Sequence, residues 1–195
     1  MPRRASQEGR SVHEQRILVA SRERFASFGY RHTSIAEIAR DAGIATGTVY
    51  RYFASKEELF RRVVQDLNQR WVELARTVLS EPGPAHERLA RLGPASIEFN
   101  RKNKLLTSIL NRDTEIVHAP LLDDIRRNLI RESVTLMAEV IRDAVAEGSM
   151  RPVDPERAAF IVFMAGQTLF TQEDRPYQEV LPLYVDIVLH GLRTG

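Results

Sequence analysis

Between Ala45 and Phe53 the chain reads Ala-Thr-Gly-Thr-Val-Tyr-Arg-Tyr-Phe, and these residue types can read a nucleic acid. Val49 and Phe53 are four residues apart and share one face of a short helix, where they can anchor it in a core. The other side then carries Thr46, Gly47, Thr48, Tyr50 and Arg51. Hydroxyls and a guanidinium hydrogen-bond base edges, and a threonine methyl meets the methyl of thymine. Gly47 has no side chain, which lets backbone and groove approach closely. Tyr50 and Tyr52 can hydrogen-bond phosphates, which positions a protein on DNA without reading sequence. Lys56 and the amides that open the next helix can hold another phosphate, and Thr33 and Ser34 can do the same one helix earlier. The bland alternative is a helical hairpin with a polar, solvated face.

These residues need a frame, and the pattern from Thr33 to Glu58 supplies it. Ser34 and Glu37 form an S-x-x-E capping box that opens a helix burying Ile35, Ile38, Ala39 and Ala42. Gly43 closes that helix, and a third one runs from about Ala45 to Tyr52. Ser55 and Glu58 repeat the capping pattern and open a long helix, Ser55 to Leu79, with the stripe Leu59, Val63, Leu67, Trp71, Leu74 and Val78. At ~1.5 Å per residue this helix is ~35–40 Å long, enough to leave one domain and enter another. Upstream, Ile17, Leu18, Phe25 and Phe28 mark a first helix from about Val12, with Ser21 in phase, and Gly29 stops it. Two short helices joined by a tight turn, the second with small and hydroxylated exposed residues, suit a DNA major groove.

The remaining periodicity is helical throughout: about 86–102, 104–112, 121–147, 155–172 and 177–192, with Asp154 a plausible N-cap before Pro155. The expected fold is all-α. It has a basic arm over 1–11, a helix-turn-helix domain over 12–54, and a helical ligand-binding and dimerisation domain over 55–195. Charge divides along similar lines. Residues 1–70 hold 13 Lys/Arg against 8 Asp/Glu, and residues 71–195 hold 15 against 18. A basic first third suits a polyanion. Arg3, Arg4 and Arg10 on the arm either add phosphate or minor-groove contacts or belong to a solubilising tail.

Other chemistry finds little purchase. There is no cysteine, which removes disulfides and thiol catalysis. His13, His32, His86, His118 and His190 are scattered without metal-ligand spacing, and no phosphate-binding glycine loop or G-x-S-x-G occurs. No cofactor, metal or catalytic residue is expected. No apolar run approaches the ~18 residues of a membrane span, and the first residues lack a secretory apolar core, so a cytoplasmic protein is expected. An architectural DNA binder without sequence preference is the main rival. It would call for a more basic chain and leaves the large apolar bundle without a purpose.

The segment Gly43–Phe60, GIATGTVYRYFASKEELF, with SIAEIARDAG before it, resembles the DNA-binding domain of TetR/AcrR-type transcriptional regulators over about residues 14–62. The other two-thirds is similar to that family in length and all-helical organisation. The resemblance implies a homodimer, usually a repressor, that binds a double-stranded DNA operator and is released by a small-molecule effector held in the helical C-terminal domain. Carried over, Thr46, Gly47 and Thr48 lie at bases, and Tyr50, Arg51, Tyr52 and Lys56 at or near phosphates. Thr46 departs from the pattern, since many members have lysine or arginine there.

Two further groups follow from the helix stripes. Trp71, Phe99, Leu106, Ile109, Leu110 and Met137 can line a cavity with Phe163 and Met164, and Arg112, His118, Gln167 and Thr168 can supply polar handles. The alternative is that these are ordinary core residues. The last two helices suit a self-complementary interface. Ala158, Ala165 and Gly166 allow close approach there, and Leu181, Tyr184, Ile187, Val188 and Gly191 lie on the final helix.

Overall fold

In the computed structural model the first helix, α1, runs Pro2–Phe28. The structure describes residues 2–111, 119–170 and 177–192, with side chains at 12–111, 121, 123–167, 180, 182–188 and 191. Residues 2–11, which composition reads as a flexible arm, continue the helix. Proline at a first helical position loses no hydrogen bond, and Arg, Ala, Gln and Glu are all good helix formers. Gly29 ends α1 at φ 74°, as its position implies. Ile17, Leu18, Ser21 and Phe25 are buried as the periodicity requires. Phe28 is not: it is 55% exposed, and its ring lies 5.1 Å under the Arg24 guanidinium carbon.

Two short helices follow, α2 (Ile35–Asp41) and α3 (Thr46–Tyr52). Ser34 caps α2 with both halves of the capping box formed. The Ser34 amide donates to Glu37 Oε2 at 2.9 Å, and the Glu37 amide donates back to Ser34 Oγ at 3.3 Å. Gly43, at φ 63°, closes α2 with amide bonds from Gly43 to the Arg40 carbonyl and from Ile44 to the Ala39 carbonyl, both 3.0 Å. A side chain at Gly43 would also meet Arg16, whose Nη2 lies 2.7 Å from the Cβ position.

Helix α4 spans Lys56–Leu79. Ser55 Oγ accepts the Glu58 amide at 3.1 Å, while the Glu58 carboxylate accepts the Ala54 amide at 2.7 Å, one residue before the cap. After it come α5 (Ala85–Lys102), α6 (Lys104–Leu110), α7 (Ala119–Ala146), α8 (Pro155–Phe170) and α9 (Tyr177–Leu192). Asp154 caps α8, accepting the Arg157 amide at 2.8 Å. The described residues form an all-α fold with helices near the positions the periodicity gives.

The chain divides into two units. One comprises Met1–Leu67 and Lys104–Ile125, the other Asn68–Asn103 and Arg126–Gly195. α2 and α3 are only seven residues each, and the first half of α4 joins α1–α3 with Leu59, Phe60, Val63, Val64 and Leu67 buried. α6 packs against α1, and its Leu105, Leu106 and Ile109 are buried in the same unit. At its centre Phe60 meets Phe25 edge-on at 5.0 Å and Tyr30 at 5.2 Å between ring centroids. The second unit has its own core, in which Ala75, Leu79, Leu89, Leu92, Ile141 and Met150 are buried with Met137.

Candidate nucleic-acid interface

Within the first unit, α3 is held by its apolar side and offers the rest. Val49 is 0% exposed and Phe53 is 4% exposed. Thr46, Gly47, Tyr50 and Arg51 are exposed, while Thr48 and Tyr52 are half-buried. Nothing lies within 4 Å of a Cβ built on Gly47, so the fold itself leaves room for a side chain there. The Arg51 guanidinium carbon sits 5.9 Å from the Tyr52 ring, which holds a cation beside a phenol on the same face. Hydroxyl, phenol and guanidinium groups are thus presented together on a helix whose rotation is fixed by the burial of Val49 and Phe53.

α2 is locked beneath α1 by charge. Arg24 pairs with Asp41 through Nε, and its Nη1 lies 3.0 Å from Glu37 Oε1. Both carboxylates titrate below their ordinary range: Asp41 chiefly through the Arg24 hydrogen bond, Glu37 chiefly through the Ser34 hydroxyl and amide. Arg16 reaches the turn between α2 and α3, donating to the Gly43 carbonyl at 3.5 Å. This network was not read from the sequence. Its signal is the pair Glu37 and Asp41, four residues apart on one face of α2, which demands a cation opposite.

Two of the residues expected at phosphates are otherwise engaged. Thr33 is 2% exposed, and its hydroxyl donates to the Gly29 carbonyl at 2.8 Å. Lys56 is half-buried, with Nζ donating to the carbonyls of Tyr30 at 2.8 Å and Thr33 at 2.9 Å, 4.3 Å from the Tyr30 ring centroid. Burial pushes its pKa below the ordinary lysine value. Ser34 remains exposed beside them at the start of α2.

The expected cavity residues are distributed over the two units. In the second unit the Trp71 and Phe99 rings lie 5.6 Å apart, the Trp71 indole donates to Ser133 Oγ at 3.2 Å, and Met137 and Phe163 belong to the same core. Met164 and Gln167 are half-buried on α8. Leu106, Ile109 and Leu110 fall in the first unit, with Ile109 fully buried. Their periodicity marked them as apolar, but periodicity does not say which core an apolar face joins. Arg112 and His118 lie outside the described residues, as does the Thr168 side chain.

On α8 and α9 the large apolar residues Phe160, Ile161, Leu183 and Ile187 are 50%, 66%, 58% and 61% exposed. Ala158, Ala165 and Val188 are half-buried beside them, and Gly191 is exposed. Gly166 is buried, and the Tyr184 hydroxyl donates to the Val162 carbonyl at 2.5 Å, so these two residues join α9 to α8 within the chain. Burial pushes the Tyr184 phenol up to about 12. The Leu181 side chain lies outside the described residues. Among the described residues no group of three or more histidines or carboxylates is arranged to hold a metal, and no helix is long and apolar enough to cross a membrane.

Comparison with known proteins adds to this geometry. Residues 17–63 match the family model of bacterial regulatory proteins of the tetR family, and residues 82–171 match that of the tetracyclin repressor-like C-terminal domain. An uncharacterised HTH-type transcriptional regulator of Bacillus subtilis, YhgD, is 29% identical over 146 residues, 75% of this chain and 76% of that one. The HTH-type transcriptional regulator HbdR of Aromatoleum is 31% identical over 73% of this chain and 63% of its own. Among solved structures, the fatty acid degradation regulator FadR of Bacillus halodurans superposes with a TM-score of 0.77 at 21% identity, over 92% of this chain and 99% of that one. FadR of Bacillus subtilis, solved in complex with stearoyl-CoA, gives the same TM-score at 17% identity, over the same shares of the two chains.

Proposed function

The chain belongs to the tetR family of bacterial transcriptional regulators, DNA-binding proteins rather than enzymes, and from that premise we propose how its residues do the work. Two copies bind a short palindromic operator in the cytoplasm as a repressor, and a small apolar or amphipathic effector releases them. The observation that carries the DNA half is the division of α3. Val49 and Phe53 are buried, while Thr46, Gly47, Tyr50 and Arg51 face outward. Thr46, Gly47 and Thr48 read base edges, and Tyr50, Arg51 and Tyr52 hold phosphates.

A second copy is supported by Phe160, Ile161, Leu183 and Ile187, whose exposure on α8 and α9 costs hydrophobic free energy that a self-complementary interface recovers. Two α3 helices then enter successive major grooves about 34–36 Å apart. The effector reading is supported by the half-buried rings of Trp71 and Phe99 beside the hydroxyl of Ser133. The similar fold of Bacillus subtilis FadR, solved in complex with stearoyl-CoA, supports an amphipathic effector.

α4 begins in the DNA-reading unit and ends in the other, so a ligand that tilts it changes the spacing of the two reading helices. A coupling of ~1–3 kcal/mol weakens operator binding about 5–150-fold. Footprinting tests the reading. A dimeric regulator protects one short, roughly palindromic site, whereas uniform coating of DNA would contradict it.

A further inference from the structure

Lys56 occupies the first position of α4, where a positive charge opposes the helix dipole. Glu57 and Glu58, its neighbours in that turn, have the favourable sign. The cation is held there by two carbonyl oxygens of another segment, Tyr30 at 2.8 Å and Thr33 at 2.9 Å, with the Tyr30 ring against it. Charge-assisted bonds of this kind are strong, and a compact ammonium with three rotatable donors fits between two converging carbonyls.

The segment it holds is the connection from α1 to α2. Its other end is pinned by the Thr33 hydroxyl on the Gly29 carbonyl at 2.8 Å. Thr33 immediately precedes Ser34, the cap of α2, and α2 in turn packs on α3. The Lys56 bond to the Thr33 carbonyl therefore ties the first turn of α4 to the residue before the α2 cap, and its bond to the Tyr30 carbonyl ties that turn to the start of the connection.

We propose that Lys56 is a positioning residue, which sets α2 and α3 relative to the start of α4 by clamping the Tyr30–Thr33 connection, and that it is not a phosphate contact. Two of its three donors are engaged inside the protein, so its removal is expected to misplace the reading helices rather than to remove a cation from the DNA surface. The inference rests on the operator-binding reading above.

The test uses the full-length chain and the DNA it enriches from a random-sequence duplex pool, with each variant measured well below its unfolding transition. Lys56→Met keeps the apolar stem over Tyr30 and removes the donors. Lys56→Arg keeps the charge but cannot place a planar fork between the two carbonyls. Both variants are expected to lose operator affinity about tenfold, as for a missing charge-assisted hydrogen bond. Preference over random duplex should fall by a similar factor, and amide exchange should quicken from Thr33 to Ile38. The salt dependence of Lys56→Met should match the wild type. A lost phosphate contact would instead lower the slope of log affinity against log salt by ~0.9 and weaken operator and random DNA alike. That result, with Lys56→Arg binding like wild type, overturns the proposal, as does wild-type binding by both variants. Should Lys56→Met fail to fold, Lys56→Arg decides alone, because a phosphate contact survives that exchange and the clamp does not. A wild-type chain that enriches no sequence refutes the operator-binding reading itself, a failure distinct from either variant result.

Discussion

Arg24 of α1 reaches Glu37 of α2 at 3.0 Å while its Nε holds Asp41 one turn further on. One guanidinium thus fixes both the height and the rotation of α2. Its planar fork suits two carboxylates, which a lysine could serve only in turn. Replacing Arg24 with Met should lower the melting temperature and weaken operator binding. The pH dependence follows from the carboxylates, whose folded-state pKa values lie below the ordinary 4.5 for Glu37 and 3.8 for Asp41. Their contribution is complete above those values and is lost as pH falls through the depressed ones. The melting difference between wild type and Arg24→Met should therefore be full above pH 4.5 and shrink as the pH is taken below 3.8. A difference that grows with acid would contradict the assignment.

Gly47 separates folding from reading. No neighbour lies within 4 Å of its Cβ position. Gly47→Ala should leave thermal stability unchanged or raise it by about 0.5–1 kcal/mol, the helix preference of alanine over glycine. The same substitution should weaken operator binding, because the added methyl stands between the backbone and the groove. Paired melting and binding measurements check this, and wild-type affinity in the variant would remove Gly47 from the interface.

Arg51 is the exposed cation of α3, and its role is assigned to phosphate. Arg51→Gln should lower affinity for operator and random duplex together and reduce the salt slope by ~0.9. Thr48→Ala should instead alter which bases are preferred, at a cost of ~1–3 kcal/mol for the favoured sequence. Titrations at several salt concentrations distinguish the two behaviours.

Phe60 is fully buried between Phe25 and Tyr30. Phe60→Ala removes an aromatic from the centre of the DNA-reading unit and should cost about 3–5 kcal/mol of stability, read from denaturant unfolding. This is the sense in which the fold was only partly legible. The stripe Leu59, Val63, Leu67 was evident from spacing, but the parallel row of Phe60 and Val64 widens the buried face beyond one stripe. The capping residues Ser34 and Ser55 and the anchors Val49 and Phe53 could be read locally, because hydrogen bonds three residues apart and contacts four apart are encoded locally. Lys56 could not. Its ammonium faces carbonyls 26 and 23 residues away, and nothing in its own neighbourhood announces that. The burial of Ile109 was legible, while the unit it joins is fixed by the path of α6.

Ile161 and Ile187 expose two-thirds and three-fifths of their surface on α8 and α9. Ile161→Glu together with Ile187→Glu should leave the helical content intact, convert a dimer to a monomer in sedimentation, and weaken operator binding steeply. A wild-type chain that sediments as a monomer at micromolar concentration would contradict the proposed assembly.

The central claim is that two copies of α3 read one symmetric DNA site. Selection of bound DNA from a random-sequence pool tests it most directly. A single palindromic sequence should emerge, with half-sites about one helical turn, ~34–36 Å, apart. Arbitrary or non-palindromic sequences, bound equally well, would contradict it.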